Sequence, residues 1–489
     1  MIEASRMEKE IVLIYGAGKL GTFLCRLANI AKVMEVHIVD SSSEKWGKIV
    51  EGYVVESPRE IYKYKNDKYC IAVANEDFKQ QILRGLIDEY EFIQDNEFEL
   101  NDLEMRLFES IFDYSAIKVK EWDEDINKRR IVFSSIKGLG LGGIEAWIKD
   151  VTLQLRHEKF ENIAVLTAMG GYHICKDMTF WEEEMDFDIV SMDKIEIWEN
   201  IYKYLSKHLP CVVITEKLNE TFIVAVLLKK YFPDSIRIIT VCHAGLKEAV
   251  QSYAKYDKWI DAYVGVSEDI REILQDLKIN KEKIYKMQIP FACDERLNRE
   301  YVKDNSRPIM IGYAGRVTYK QKRIDLMMKL VLELEKRSID YVMNVAGNGD
   351  ALEDLKEFTK NNNLSKKIIF SKRIDRDKIS VFWKQQDICI NLADYEGRSI
   401  SITEAMGNGA VPIVTDTSGV KEDISNNVNG YIVSLGDYQE MADKIEYLYY
   451  HREKIKKMGH MAHDVVYPKS QMKQHIVFWK MLLLEKIWN

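Results

Sequence analysis

Short apolar runs alternate with segments of helical period along the whole of this chain. The apolar runs have the length of strands, as in IVLIY (11–15), CVVITE (211–216) and IMIGYAG (309–315). Strands that are separated by helices usually pair in parallel, and the helices then cover both faces of the sheet. The alternation therefore predicts an α/β protein built on parallel sheets.

The alternation restarts twice, which divides the chain into three blocks. Three domains of ordinary size also agree with a length of 489 residues. The acidic, unperiodic sequence at 88–104 indicates the tail of the first block. We predict a small domain at 1–115, a linker at 116–129, two larger domains at 130–300 and 301–470, and a terminal helix at 471–489.

Composition excludes several classes of function. The net charge of −8 argues against a nucleic-acid-binding protein. Seven scattered cysteines without a CxxC pair favour a reducing compartment. The first residues lack a secretion signal, and the longest apolar run, FIVAVLL (222–228), is too short to cross a membrane. We therefore expect a cytoplasmic protein, with association at the inner face of the membrane left open.

The third block carries a pair of carboxylates, Glu396 and Glu404, in EGRSISITEAMGNG. Glu396 follows an apolar strand, and Glu404 lies about one turn into the next helix. A carboxylate can accept hydrogen bonds from two sugar hydroxyls, and the backbone N–H groups at the start of that helix suit a phosphate. Upstream, Arg316 and Lys322 follow a strand end, where two cations can neutralise a leaving diphosphate without a metal ion.

The spacing E-x7-E, preceded by G-R and a lysine, resembles the donor domain of the retaining family 4 glycosyltransferases of GT-B fold. The resemblance covers roughly residues 130–450 and is strongest from 310 to 435. It implies two facing Rossmann-like domains and a terminal helix that returns to the first of them. It also implies that Glu404 holds the donor ribose, Glu396 the transferred sugar, and Arg316 and Lys322 the diphosphate.

Further residues receive roles from the same resemblance. The predicted donor-binding residues are Gly347 and Gly349 in VAGNGD, Arg373 and Ile374 beside the base, Ser399 and Ile400 at the helix start, and Gly142 and Gly143 in the loop GLGLGG. His243, at the end of the strand IRIITVCH, is predicted to lie beside the donor sugar. The family usually has small or aromatic residues where Arg398 and Ser399 stand, so we expect the choice of sugar to depend on them.

Two other patterns suggest a metal, and we favour neither as a metal site. Asp186-Phe187-Asp188 has the form of an Asp-x-Asp motif but precedes an apolar run instead of following a strand. His460 and His463 have HxxH spacing without a third ligand nearby in the sequence. The sequence therefore predicts transfer without a metal.

The first block begins with GAGKLG, in which Gly16, Gly18 and Gly21 follow a strand and open a helix. Asp40 ends the next strand, where an acidic residue can bind ribose hydroxyls. The segment resembles the short Rossmann-like domains attached to bacterial surface-sugar enzymes. Binding of NAD or another nucleotide and a ligand-free structural role both remain open here.

These features together predict a metal-independent, retaining hexosyltransferase. Its co-substrate would be a nucleotide sugar, and its acceptor a glycan or a lipid-linked glycan in bacterial surface polysaccharide or glycoconjugate synthesis. Two alternatives stay open at this point. One is an NAD-dependent or bifunctional oxidoreductase led by the first block, and the other is a non-catalytic carbohydrate-binding assembly subunit. The sequence also leaves open whether the chain forms a homo-oligomer.

Overall fold

The computed structural model describes residues 9–135, 143–167, 194–216, 218–375 and 378–484. In these ranges the strands form three sheets, and nearly all strand pairs are parallel. The described residues fall into two compact units. The first unit comprises the described parts of Met1–Lys120, Ser191–Leu209 and Ile223–Pro233, and the second unit comprises the remainder.

The sheet of the first unit has the order β3-β4-β2-β1-β5. Its strands are β1 (Glu10–Tyr15), β2 (Met34–Val39), β3 (Ile49–Val50), β4 (Tyr53–Glu56) and β5 (Lys68–Ile71). Its helices are α1 (Lys19–Ala31), α2 (Glu76–Asp88), α3 (Leu100–Ile111) and α5 (Lys194–Lys207), whereas α4 (Gly143–His157) is part of the second unit. The end of α6 (Glu220–Tyr231) also belongs here. The β1 strand lies between β2 and β5, and its apolar middle residues Val12, Leu13 and Ile14 are fully buried.

The helix α3 differs from the unperiodic tail that the sequence predicted for residues 88–104. Its Leu103, Leu107 and Phe108 are buried, and Phe108 stacks on Trp198 of α5 at 3.8 Å between ring centroids. Glu104 of α3 pairs with Lys194 at 2.7 Å. These partners lie about ninety residues away along the chain, so the local sequence gives little sign of them.

The second unit contains two six-stranded sheets, each of which forms one lobe. The amino-terminal lobe has the order β11-β10-β9-β8-β6-β7, and the carboxy-terminal lobe has the order β14-β13-β12-β15-β16-β17. The strands of the first lobe are β6 (Arg130–Ser135), β7 (Ile163–Thr167), β8 (Cys211–Thr215), β9 (Ile236–Cys242), β10 (Ala262–Gly265) and β11 (Ile284–Lys286). Those of the second are β12 (Ile309–Ala314), β13 (Tyr341–Ala346), β14 (Ile368–Ser371), β15 (Ile388–Asn391), β16 (Val411–Thr415) and β17 (Tyr431–Val433).

Helices connect the strands of both lobes, as the alternation of the sequence predicts. In the amino-terminal lobe they are α4 (Gly143–His157), α7 (Lys247–Ala254) and α8 (Glu268–Asp276). In the carboxy-terminal lobe they are α9 (Ile324–Lys336), α10 (Leu352–Asn361), α11 (Ile379–Lys384), α12 (Ile400–Gly407), α13 (Tyr438–Tyr450) and α14 (Arg452–Val466). The last described helix, α15 (Met472–Leu484), packs against α4 of the amino-terminal lobe.

A buried charge cluster fixes the start of the carboxy-terminal lobe. Asp387, which precedes β15, accepts two hydrogen bonds from Arg307 at 2.7 and 2.9 Å. Arg452 and Arg299 approach the same carboxylate at 3.4 and 3.6 Å. Burial lowers the pKa values of Arg299 and Arg452, although the negative charge of Asp387 opposes this shift. The Asp387 carboxylate therefore links three parts of the carboxy-terminal lobe: the segment before β12, the start of β15 and the start of α14.

Candidate functional site

Lys322, predicted to bind the diphosphate, and Glu396, predicted to hold the sugar, meet at the carboxyl ends of β12 and β15. Lys322 lies just before α9, and its Nζ forms an ion pair with Glu396 Oε1. The two side chains are only 10% and 11% exposed, so water screens their attraction weakly. Because parallel strands bring their carboxyl ends to one edge, residues 74 positions apart can form this pair.

Asn391, a residue that the sequence did not single out, holds Glu396 from the other side. Its amide donates to Glu396 Oε1 at 3.3 Å and to Ser399 Oγ at 3.4 Å. The side-chain Oδ1 of Asn391 accepts a hydrogen bond from the Ala393 N–H at 3.0 Å, which fixes the orientation of the amide. The last residue of β15 therefore organises the loop that carries Glu396. An asparagine at the end of an otherwise apolar strand is the one sequence signal that marks it.

Arg316 is exposed and reaches the same loop through Gln321. Its guanidinium donates to Gln321 Oε1, while Gln321 Nε2 donates to the carbonyl of Tyr395 at 3.0 Å. The hydroxyl of Tyr313 donates to the Arg316 carbonyl. Burial, reinforced by the neighbouring Glu396 carboxylate, raises the pKa of Tyr313, so the phenol keeps the proton that it donates. Arg316 and Lys322 thus belong to one braced loop.

The helix α12 begins directly behind the Glu396 loop, which we define as residues 392–399. Ser399 precedes the helix, and its hydroxyl is engaged with Asn391 and Ser401 instead of capping the helix. The first N–H groups of any α-helix lack intrahelical acceptors, and they carry a partial positive charge. Glu404 is buried one turn further on. The structure therefore brings Ser399, Ile400 and Glu404 onto a helix that starts beside the Lys322–Glu396 pair.

Arg398 points away from this pair. It is buried and donates to both carboxylate oxygens of Asp423 at 2.8 to 3.1 Å. Lys469 also donates to Asp423, at 2.7 Å. A bidentate arginine–carboxylate pair fixes geometry as well as charge. The guanidinium thus anchors the end of the Glu396 loop to the turn at residues 418–423, and this anchoring accounts for the unusual arginine.

The two lobes of the second unit meet at Gly397 and His243. A β-carbon added at Gly397 would collide with the carbonyl oxygen of His243, so only glycine permits this backbone approach. Gly245 makes a comparable approach to the Glu396 carbonyl, where an added β-carbon would lie 2.7 Å from the oxygen. His243 is therefore beside the Glu396 loop, and its ring lies 5.1 Å from that of Trp147.

A set of polar contacts next to this point also links the lobes, and the sequence did not reveal it. Ser267 and Ser418 are 3.1 Å apart through their hydroxyls, and Asp269 accepts the Gly419 N–H at 3.1 Å. Glu422 accepts the N–H of Glu268 at the start of α8. Serines and acids at loop ends are common, so no sequence signal distinguishes these.

Some of the remaining predicted residues of the second unit lie beside Arg316 or Ile400, and others do not. Gly347 and Gly349 follow β13, and added β-carbons there would collide with the carbonyls of Gly315 and Val317, beside Arg316. Arg373 is exposed after β14, and Ile374 packs against the core beneath α12. Gly143 begins α4, where an added β-carbon would lie 3.1 Å from the Ile400 side chain. Gly142 and Asp186–Asp188 lie outside the described residues.

In the predicted nucleotide motif of the first unit, the Asp40 carboxylate is already hydrogen-bonded to other groups of the same unit. This carboxylate accepts the N–H groups of Ala17 and Ser42 and the ammonium of Lys45, each at 2.8 Å. Burial alone would raise the pKa of Asp40, but these hydrogen bonds offset that effect and lower it.

The glycine loop itself has the close packing that the motif predicts. A β-carbon at Gly21 would collide with the Gly16 carbonyl, and Gly18 begins α1 in open space. Asp40 thus ties the glycine loop to the turn after β2.

The described ranges, 9–135, 143–167, 194–216, 218–375 and 378–484, contain neither a metal-binding cluster nor a membrane-spanning helix. Those ranges contain no group of three or more histidine, cysteine, aspartate or glutamate side chains arranged to hold a metal ion. His463 is instead buried within hydrogen-bond distance of the Asp294 carbonyl, at 2.9 Å. Across the same ranges, no helix is both long and apolar enough to cross a membrane.

Comparison with known proteins assigns two segments to families. Residues 294–464 match the family described as Glycosyl transferases group 1, and residues 8–93 match the family described as C2185-like, N-terminal. An uncharacterized glycosyltransferase of Methanocaldococcus jannaschii is 27% identical over 148 residues, which are 30% of this chain and 37% of that protein. The alpha-monoglucosyldiacylglycerol synthase of Streptococcus pneumoniae is 23% identical over 183 residues, which are 35% of this chain and 41% of that protein.

The chain thus spans about two fifths of the length of these two relatives. Among solved structures, HepE of Anabaena in complex with UDP-glucose aligns with a TM-score of 0.60 at 13% identity. The alignment covers 72% of this chain and 99% of HepE, so it shows a shared fold. The chain therefore has the GT-B fold with a separate amino-terminal domain, and residues 294–464 form a domain of the Glycosyl transferases group 1 family.

Proposed function

We propose that this chain is a retaining glycosyltransferase that transfers a hexose from a nucleotide sugar without a metal ion. The Lys322–Glu396 pair is the observation that carries the proposal. It joins a cation suited to a diphosphate with a carboxylate suited to sugar hydroxyls, in a family whose members are described as glycosyl transferases. Both groups lie beside the start of α12, which favours an anion.

In this proposal the donor replaces the internal ion pair. The diphosphate forms ion pairs with Lys322 and Arg316 and accepts hydrogen bonds from the first N–H groups of α12. Hydroxyls of the sugar donate hydrogen bonds to Glu396. Glu404, one turn into α12, binds the ribose. The exchange leaves each charged group with a new partner, so the buried charges do not become isolated when the donor binds.

The chemical step follows from these positions. The acceptor oxygen forms a bond to the anomeric carbon on the face from which the diphosphate departs, while the bond from that carbon to the diphosphate oxygen breaks. The proton of the acceptor hydroxyl passes to the departing diphosphate. Lys322 and Arg316 stabilise the negative charge that develops on the leaving group. No protein base is required.

We further propose a glycan or a lipid-linked acceptor in the synthesis of a surface polysaccharide or glycoconjugate. The pneumococcal relative, whose name describes a glucosylated diacylglycerol, supports a lipid-linked acceptor. The solved complex of HepE with UDP-glucose makes UDP-sugars the first donors to test. The first unit takes no part in transfer in this proposal, because Asp40 already accepts hydrogen bonds from three donors that a dinucleotide ribose would have to displace.

The test is a thermal-shift screen of UDP-, GDP-, ADP- and dTDP-sugars, followed by turnover with the best donor. Lys322→Ala and Glu404→Ala are each expected to abolish transfer while the fold stays intact by circular dichroism. Lys356→Ala and Glu353→Ala, an exposed pair on α10, are the matched controls and should retain activity. The proposal fails if either site variant transfers sugar at the wild-type rate. Product with inverted anomeric configuration would contradict retention.

A further inference from the structure

A buried histidine on the last described helix accepts hydrogen bonds from two tryptophans. Trp147 of α4 and Trp479 of α15 both donate their indole N–H to His475 Nε2, at 2.9 and 3.1 Å. All three side chains are at most 4% exposed. The cluster therefore lies in the core between the amino-terminal lobe and α15, where a lost hydrogen bond is costly.

The hydrogen bonds fix the tautomer of His475. An indole N–H can only donate, so Nε2 must be the acceptor, and its single lone pair is shared between the two indole N–H groups. The proton then resides on Nδ1, which donates to the Gln288 carbonyl at 2.9 Å. The ring is thus held from both of its nitrogens and cannot rotate without losing a partner. It gives Trp147 a fixed anchor at the indole nitrogen.

The ring of Trp147, held in this way, contacts the ring of His243. The ring centroids of Trp147 and His243 are 5.1 Å apart, and the planes meet at 63° in an edge contact. The carbonyl of His243 is in turn the group that Gly397 of the Glu396 loop approaches. A continuous series of contacts therefore runs from α15 through His475 and Trp147 to His243, which adjoins the loop that carries Glu396.

We propose that His475 and Trp147 are positioning residues that set the orientation of the His243 imidazole for sugar transfer. This inference rests on the proposed function and on the prediction from the sequence that His243 lies beside the transferred sugar. The diphosphate and ribose contacts belong to the carboxy-terminal lobe, so they are independent of the cluster. Loss of the cluster should therefore lower kcat and leave the KM of the donor nearly unchanged.

The variants separate positioning from general stability. Trp147→Phe and Trp479→Phe each delete one indole N–H bond to the same acceptor, but of these two tryptophans only Trp147 has a ring contact with His243 among the described residues. His475→Phe removes both acceptor and donor. In His475→Gln the amide can again accept from Trp147 and donate to Gln288, so it serves as the conservative rescue.

Measurements on the full chain comprise kcat, donor KM, the melting temperature, and the histidine imidazole NMR resonances, with His243→Gln as the assignment standard. Trp147→Phe and His475→Phe should lower kcat roughly 10- to 100-fold, as expected for a misplaced group near the reaction. They should also shift the His243 resonance. His475→Gln should recover most of kcat. Trp479→Phe should lower the melting temperature and leave both kcat and the His243 resonance unchanged.

Equal kcat losses in the two tryptophan variants, in step with their melting temperatures, would overturn the inference. An unmoved His243 resonance in both Trp147→Phe and His475→Phe would also overturn it. Absence of turnover by the wild-type chain with every donor would instead overturn the proposed function. The NMR comparison would then decide by itself whether the cluster orients His243.

Discussion

Replacing Gly397 with alanine should separate the Glu396 loop from His243. The new β-carbon would collide with the His243 carbonyl oxygen and would lie 2.6 Å from its carbon and 3.3 Å from the Ala244 nitrogen. Carbon atoms meet at about 3.5 Å or more, so the carbon contact alone requires the two backbones to move apart by about 1 Å, and the closer oxygen contact requires more. Both sides of the contact are backbone, and no flexible side chain can absorb that movement.

A displacement of this size at a reacting centre lowers the rate by roughly 100-fold. That factor corresponds to about 2.7 kcal/mol of transition-state stabilisation. The assay is steady-state transfer with the best nucleotide sugar, with kcat and donor KM measured for Gly397→Ala and for wild type. The loss should be in kcat/KM, and the melting temperature should change little because the substitution is at the meeting point of two lobes and not in a core.

Gly85→Ala is the matched control. Gly85 lies within α2, and an added β-carbon there meets no atom within 4 Å. Alanine in place of a helical glycine should stabilise the helix by about 0.5–1 kcal/mol and leave turnover unchanged. Wild-type kcat/KM in Gly397→Ala would show that this close approach of the lobes is unnecessary for catalysis.

Three further predictions concern buried charges. Glu396→Gln should abolish transfer yet bind a nucleoside diphosphate more tightly in calorimetric titration, since the carboxylate that competes for Lys322 is gone; weaker binding would contradict this. Asp387→Asn should destabilise the chain by roughly 3–5 kcal/mol in thermal or urea unfolding, because it leaves buried guanidinium groups without a negative partner. An unchanged melting temperature would refute this prediction. Asp40→Asn should lower the melting temperature of the first unit at neutral pH, because the native carboxylate has a lowered pKa and stabilises the fold only when ionised. The difference from wild type should persist at higher pH, begin to shrink as pH falls below about 4, and vanish once the pH is below the lowered pKa of Asp40; an undiminished difference there would contradict the role of Lys45.

The sequence predicted the fold class because its signal is local and repeated. Most apolar runs are followed by a helical segment, and strands connected in that way pair in parallel beneath the helices. The predicted meeting of Arg316, Lys322 and Glu396 at one sheet edge rests on the same rule, since each residue follows a strand that ends there. This part of the candidate site could be anticipated without coordinates.

The rest depends on contacts that no local pattern encodes. The sequence marked Arg398 as unusual and gave no sign that its guanidinium pairs with Asp423, 25 residues away. Asp40 fits the dinucleotide motif by position, although Lys45 and the loop N–H groups occupy it. The link between His475 and Trp147 joins residues 328 positions apart, and only the packing of α15 against α4 brings it about.

The central claim is that the loops around Lys322 and the helix carrying Glu404 bind the diphosphate and ribose of a nucleotide sugar. Calorimetric titration of UDP, GDP, ADP and dTDP into the full chain tests it without knowledge of the acceptor. We expect one of them to bind, with an affinity that falls at least about tenfold, or about 1.4 kcal/mol, in both Lys322→Ala and Glu404→Ala but is unchanged in Lys356→Ala. Failure of all four to bind, or equal affinity in wild type and Lys322→Ala, would contradict it.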